Sequence, residues 1–297
     1  MARIEGLAGE ATESQGKIKV RRAVAYTVLI ILMILSLLPF YLLLINATRP
    51  KVQPGLQFYP DNMLFKNFGK IFDENYRSNY GSFLRSFFNS IFVSTVSTVL
   101  CVYFSALTAY AIHVYDFKLK KAMHTFILLV MMVPTQAAAI GLYRMLVSMK
   151  LTDSFIPLTI PAIAAPATYF FMIQYMASSL PLEIVEASRM DGCGEFKTFN
   201  IIVLPILKPA LAVQAIFVFV SNWNNLFLPQ MLLDDANKKT IPVILQLIRA
   251  NIQSNPMTAD AGLMNMFMVL AILPVVIIYL ILSKNIVGGV SLGAVKG

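Results

Sequence analysis

Residues 23–45 read AVAYTVLIILMILSLLPFYLLLI, a run with no charged side chain. A helix needs about 20 predominantly apolar residues to cross the hydrocarbon core of a bilayer. Further runs meet that length at 88–114, 123–147, 155–176, 206–229 and 262–283. The pattern predicts an all-α polytopic membrane protein with six transmembrane helices. Pro39, Pro134, Pro161, Pro166 and Pro274 fall inside these runs, where neighbouring helices can satisfy the carbonyls that a proline leaves free. Residues 1–20 are polar and mixed in charge. They lack the short apolar stretch and small-residue cleavage site of a secretory signal, and read as a loose cytoplasmic tail. Residues 21–297 then form one transmembrane domain without a low-complexity linker.

Composition agrees with this reading. The chain has 297 residues, 58% hydrophobic and 13% charged, with a mean hydropathy of +0.70. A soluble domain carries about 25% charged residues, so half that fraction leaves too few to coat a globule, and a lipid-facing surface accounts for the rest. The net charge of +9 would suit a nucleic-acid binder only if Lys and Arg gathered on one face. They lie instead beside the apolar runs, as in Lys17, Lys19, Arg21, Arg22 and Lys118, Lys120, Lys121. Basic residues next to spans mark the cytoplasmic side, and six crossings put both groups there, with both termini inside. No disulfide framework or metal cluster follows from Cys101, Cys193, His113 and His124.

Two longer connections fall on the opposite side. Residues 49–84 carry Phe58, Tyr59 and Tyr80, and residues 231–260 carry Asp234, Asp235, Lys238 and Lys239. Within the second, 241–248 is apolar but too short to span, as suits an interfacial or docking segment.

Ion-coupled carriers hold their driving ion with ionisable groups at membrane depth. The runs here have Arg144 as their clear exception to an uncharged interior, and it lies near a span end, where its long stem reaches the interface. A phosphate-cradling loop requires G-x-x-x-x-G-K-[ST] between a strand and a helix. The nearest match, Gly9 to Gly16-Lys17-Ile18, has the wrong spacing and no hydroxyl. A membrane-embedded enzyme would need convergent His, Asp or Ser groups. His113 and His124 instead flank one cytoplasmic turn without an acidic partner in the spans. Any energy for transport therefore comes from outside this chain.

Between the fourth and fifth runs lies Leu180-Pro181-Leu182-Glu183-Ile184-Val185-Glu186-Ala187-Ser188-Arg189-Met190-Asp191-Gly192. Pro181 suits the first turn of a helix, Glu183 its positive end, and Gly192 a left-handed stop. A second short helix can begin at Glu195, and Leu204-Pro205 bends the chain into the fifth run. The spacing Glu186-Ala187-Ser188, Gly192, Ile202, Leu204, Pro205 resembles the EAA loop of ABC importer permeases, with Ser188 in place of the second alanine. The order of the spans is similar to the maltose-type carbohydrate permeases. So are Asn89-Ser90, Ser221-Asn222-Trp223-Asn224-Asn225-Leu226-Phe227-Leu228-Pro229 and the terminal Gly293-Ala294-Val295-Lys296-Gly297.

That resemblance implies a cytoplasmic coupling-helix loop between helices four and five, with Glu186, Ala187, Ser188, Arg189, Gly192, Ile202, Leu204 and Pro205 meeting a separate ATPase. It implies a bacterial or archaeal cytoplasmic-membrane complex. The partners would be a homologous second permease subunit, two copies of an ABC ATPase subunit and an extracellular or periplasmic solute-binding protein. ATP and Mg would sit on the ATPase, with no cofactor on this chain. The cargo would be a carbohydrate, in particular an oligosaccharide; a polyamine, phosphate or similar small solute is the alternative, disfavoured by the uncharged spans.

Sugar hydroxyls are matched by amides, hydroxyls and flat aromatic faces. In the fifth run Gln214, Ser221 and Asn225 are spaced seven and four apart and share a helical face, with Asn222 beside them. In the third, Gln136 and Tyr143 lie two turns apart, and the fourth supplies Tyr169 and Gln174. Lining a solute pathway and hydrogen bonding between helices are both open for these residues. Trp223 reads as an interfacial anchor. Ser90, Ser94, Thr98, Cys101, Ser105 and Thr108 form a small-residue stripe, read as a helix-packing seam.

Overall fold

The computed structural model describes residues 2–50, 56–254 and 260–294. Among them all regular structure is helical. Helix α1 spans Ala2–Ala47 and α2 spans Phe83–Val114. Next come α3 (Lys120–Val130), α4 (Thr135–Ser148), α5 (Pro166–Ser179) and α6 (Leu182–Met190). Then follow α7 (Lys208–Trp223), α8 (Phe227–Leu232), α9 (Ile241–Ser254) and α10 (Ala261–Ala294). Residues 295–297 of the terminal motif lie outside the described residues, as do 255–259 of the second long connection. The expected loose tail is a correction: from Ala2 onward its backbone continues as the first turns of α1.

Among the described residues, four helical stretches are long and apolar enough to cross a bilayer: Ile18–Ala47, Phe83–Val114, Ile156–Ser179 and Gly262–Lys284. A fifth crossing is available if Glu195–Ile206 and Lys208–Trp223, bent by 81°, count as one. The expected third span is not a single helix. Residues 131–133 turn with i to i−3 bonds, Pro134 is extended (ψ 118), and α4 starts afresh at Thr135. Proline disfavours helical backbone in the residue before it, and that breaks the run at Val133. The same rule shapes the fourth span, where Ala165 before Pro166 is non-helical at φ −118, ψ 85. The bend into the fifth comes at Leu207 rather than at Pro205. Pro209 has no N–H to give to the carbonyl four residues back, so the helix cannot run through.

The chain forms two compact units, one of residues 1–68 with 259–269, the other of 69–258 with 270–297. In the first, the fully buried Asn67 donates from Nδ2 to the carbonyls of Ala47 and Arg49, both at 2.8 Å. Ala47 is the last residue of α1, whose carbonyl the helix itself leaves unmet, and Arg49 lies two residues beyond it. Gly262 fits there because it has no side chain: a Cβ would come 1.7 Å from the Arg49 oxygen.

In the second unit α2 is the central strut. Its small-residue stripe is buried except for the half-buried Thr108, and side chains on and beside it reach neighbouring segments: Ser97, next to the stripe, donates to Leu158 O at 3.0 Å, Ser105 donates to Ala165 O at 3.4 Å, and Cys101 Sγ meets Thr168 Oγ1 at 3.3 Å. With no water to expel, close van der Waals contact and such bonds hold membrane helices together. Towards its C-terminal end α2 packs Ala106, Ala109, Tyr110 and Ile112 on Met172, Met176, Val185, Phe199 and Val203. Towards its N-terminal end Val93 joins Leu146, Leu158, Leu232 and Leu233.

Candidate coupling surface and solute cavity

At the C-terminal end of α2 the segment 181–207 makes an elbow. Pro181 (φ −63) stands before α6, and Glu183 occupies its first turn. The helix stops as the sequence requires. Gly192 takes φ +79, its N–H bonds to Arg189 O and that of Cys193 to Ser188 O, both at 3.0 Å. This pair of bonds is a Schellman cap, which needs the left-handed conformation glycine adopts freely. Beyond it come a helical turn Glu195–Lys197, a π-helical turn Thr198–Val203 and a turn Leu204–Ile206 before the bend.

The elbow has two faces. Inward, Val185 and Ser188 are buried; Ser188 Oγ donates to Val185 O at 2.8 Å and shares a 3.0 Å bond with Thr198. Ser188 therefore seats α6 on its own chain instead of opening a groove for another. Arg189 is turned to the elbow itself: its Nε pairs with Glu195 at 2.7 Å and its guanidinium lies 5.5 Å over the Tyr115 ring. Tyr110 adds a 3.0 Å bond to the same carboxylate. Outward, Glu186, Ala187, Gly192 and Pro205 are exposed, together with Leu182, Ile184, Met190, Phe196 and Ile201. Met190 is 88% and Phe196 72% exposed, a bare apolar surface beside a carboxylate. Ile202 and Leu204 are half-buried.

The polar residues of the spans do not form one pathway. Gln136, Ser221 and Asn225 come together on a cavity of ≈ 660 Å³, lined also by Ala139, Leu142, Asn224, Phe227 and Leu228. The breaks in the helices make it. Gln136 lies in the first turn of α4, just after Pro134, and α7 ends at Trp223, so that Asn224 and Asn225 are non-helical. Asn225 Oδ1 accepts the Leu228 N–H at 3.4 Å and starts α8. The seven-and-four helical face expected through Asn225 is thus cut at its last member. Asn224 was missed as a lining residue. Its signal is the Asn-Asn pair ahead of Pro229, since asparagine tolerates the conformations found where helices stop.

The other candidates lie elsewhere. Tyr169 is buried, receives or gives a 2.7 Å bond with His124, and borders a separate apolar cavity of ≈ 310 Å³ with Ser105, Thr108 and Phe126. Gln214 is buried, Asn222 bonds Val218 O of its own helix at 2.9 Å, and Tyr143 and Gln174 are exposed. None of these four lines the larger cavity. Trp223 is no interfacial anchor: it is buried, donates to Ala271 O at 3.0 Å, and packs on Phe219 and Phe87.

Bent and broken membrane helices around a cavity that mixes amides and a hydroxyl with apolar walls, with an exposed elbow beyond, fit a multi-pass membrane transport component. The chain belongs to the family described as binding-protein-dependent transport system inner membrane component, whose model matches residues 114–291. It is 32% identical over 271 residues to an arabinooligosaccharides transport system permease protein of Bacillus subtilis, covering 90% of this chain and 92% of that one. A maltodextrin transport system permease protein of the same organism is 32% identical over 272 residues, with 90% and 94% covered. The fold is similar to that in a crystal structure of a bacterial ABC transporter involved in the import of the acidic polysaccharide alginate. There the TM-score is 0.74 at 22% identity, over 90% of this chain and 96% of that one.

Proposed function

We propose that this chain is one of two membrane-spanning subunits of an ATP-driven importer that carries a neutral carbohydrate, an oligosaccharide in particular, into the cytoplasm by alternating access. A homologous permease completes the pathway. Two copies of a separate ATPase subunit bind ATP and Mg and receive the elbow, and an external solute-binding protein docks at the opposite end. The elbow carries the reading. It is a capped, internally bonded two-helix turn whose back is buried and whose front leaves Leu182, Ile184, Met190 and Phe196 bare around Glu186. A few apolar anchors seated in a partner's pocket carry most of the binding energy of an interface, which suits a surface that has to grip a moving subunit. Both termini and the elbow then face the cytoplasm, while 231–254 faces out.

The cargo follows from the cavity and the relatives. Its lining offers amides, a hydroxyl and the Phe227 ring without a charged side chain, which fits a neutral polyol better than a phosphate or polyamine. Among similar proteins, a melibiose/raffinose/stachyose import permease and a lactose permease point the same way. One relative at 28% identity is an sn-glycerol-3-phosphate permease protein of Yersinia pestis, so the test includes phosphate esters. Reconstitution with the permease, ATPase and binding protein encoded beside it should show ATP hydrolysis stimulated by neutral oligosaccharides through the binding protein. Stimulation by phosphate esters alone overturns the cargo; stimulation that ignores the binding protein overturns the importer.

A further inference from the structure

At the N-terminal end of α2, three segments distant in sequence interlock. Asp153, between α4 and Ile156–Thr159, donates its N–H to Leu232 O at 2.7 Å, and its Oδ1 accepts the Asp235 N–H at 3.1 Å. Lys238 Nζ donates both to Asp153 O at 2.7 Å and to Asp153 Oδ2 at 2.9 Å. From α2, Arg85 donates to Asn237 Oδ1, and Asn89 Nδ2 to Asn237 O at 2.9 Å and Lys239 O at 3.1 Å. Ser90 Oγ accepts the N–H of Ile241, the first residue of α9, at 2.8 Å.

This polar knot stands on an apolar one. Leu146, Leu158, Leu232 and Leu233 are buried with Val93, and Leu142 and Leu228 pack on their margin. Leu142 and Leu228 also line the larger cavity. Close-packed side chains pass displacement on instead of absorbing it, so a movement of 232–241 reaches the cavity wall within two contacts. A turn that served only itself would need the backbone bonds. The Lys238 ammonium adds a second tie across 85 positions of sequence, holding a carbonyl and a carboxylate at once.

We propose that Asp153 and Lys238 are positioning residues for solute transfer: their clasp joins the external segment 234–254 and the cavity wall into one body, so that a binding protein seated on α9 sets the shape of the cavity. The inference rests on the importer reading above. α9 is built for such a role, with Ile241, Val243, Ile244 and Ile248 buried and Arg249, Asn251 and Gln253 exposed.

The test uses the full transporter reconstituted with its binding protein and a mixture of neutral malto- and arabino-oligosaccharides. Lys238→Met and Asp153→Asn should leave hydrolysis without binding protein unchanged. The half-saturating concentration of loaded binding protein should rise, and the stimulated rate fall, by roughly fivefold or more, the lower bound of usual site-to-site coupling. Lys238→Arg, which keeps the charge and two donors, should recover most of the loss. If assembly and basal hydrolysis decline together while the stimulation ratio and half-saturation stay fixed, the clasp only stabilises the fold and the inference is wrong. No change in any readout also overturns it. A wild-type transporter that shows no stimulation at all fails the importer reading instead, a separate outcome.

Discussion

The two ends of α2 carry opposite kinds of surface. At its N-terminal end Arg85, Asn89 and Ser90 are bonded into residues 237–241, and Asp153 closes the same knot from a third segment. At its C-terminal end Tyr110 and Tyr115 hold Glu195 and Arg189, but the apolar side chains in front of them, Met190 and Phe196, touch little of their own chain. One end is closed on itself and the other leaves its apolar side chains bare. The same helix therefore has a tightly bonded surface at one end and a bare apolar face at the other, the contrast on which the proposed coupling rests.

Two glycines put this contrast to its hardest test. Gly81, just before α2, has φ +93 and ψ 173, and a Cβ there would stand 2.9 Å from the Ala236 carbonyl oxygen. That backbone region is open essentially to glycine alone, at about 1–3 kcal/mol for anything else, and the contact with fixed backbone adds to it. Gly81→Ala should lower stability by about 3 kcal/mol, read as a loss of melting temperature of the purified complex. A melting temperature within a degree of wild type would show that the closed end is not closed.

At the open end the effect moves from folding to docking. Met190→Ser and Phe196→Ser remove apolar surface that nothing in the chain covers, so each should change melting by less than about 0.5 kcal/mol. Together they should weaken association with the ATPase by about 2 kcal/mol, the usual size for a buried interface anchor. Co-purification yield and ATPase titration measure it. Gly192 lies between these cases: its φ is +79 but a Cβ would meet nothing within 4 Å. Gly192→Ala should cost about 1 kcal/mol for the left-handed backbone, and Gly192→Asn less, with coupling kept. An alanine variant as damaged as Gly81→Ala would mean that the elbow is packed against something in the folded chain.

The sequence carried the open end better than the closed one. Pro181, Glu183 and Gly192 mark a helix start and stop by local chemistry alone, and the Schellman cap at Gly192 forms where glycine allows it. The small-residue stripe on α2 was likewise visible, since a helical period survives in a linear string. Ser188 was harder: a small residue suits a groove in a partner or a seat on its own chain equally, and only the Thr198 bond decides. The break at Pro134 was invisible to hydropathy, which does not distinguish a kinked helix from two. It is that break, with the stop at Trp223, that gathers Gln136 and Asn225 on one cavity and leaves Tyr169 and Gln214 off it. The clasp had no periodic signal at all, because Asp153 and Lys238 meet only through the fold.

The smallest effect concerns the clasp itself and depends on acid. The hydrogen bond from Lys238 holds the Asp153 carboxyl below its ordinary value of 3.8, the Asp235 N–H adds to this, and partial burial opposes it. A carboxyl whose folded-state value is depressed binds its proton more readily in the unfolded chain. Its contribution to stability is therefore present above pH 3.8 and is lost as the pH falls through the lower, folded-state value. Because both side chains are partly exposed, at 40% and 32%, the contribution should be at most about 1 kcal/mol. Melting curves of wild type and Asp153→Asn should differ by a constant amount from pH 5 to pH 7, about one or two degrees, and converge in acid. Curves that stay parallel down to the lowest pH would mean that Asp153 works through its backbone and carbonyl alone, leaving the Lys238 ion pair without a part in closing that end of α2.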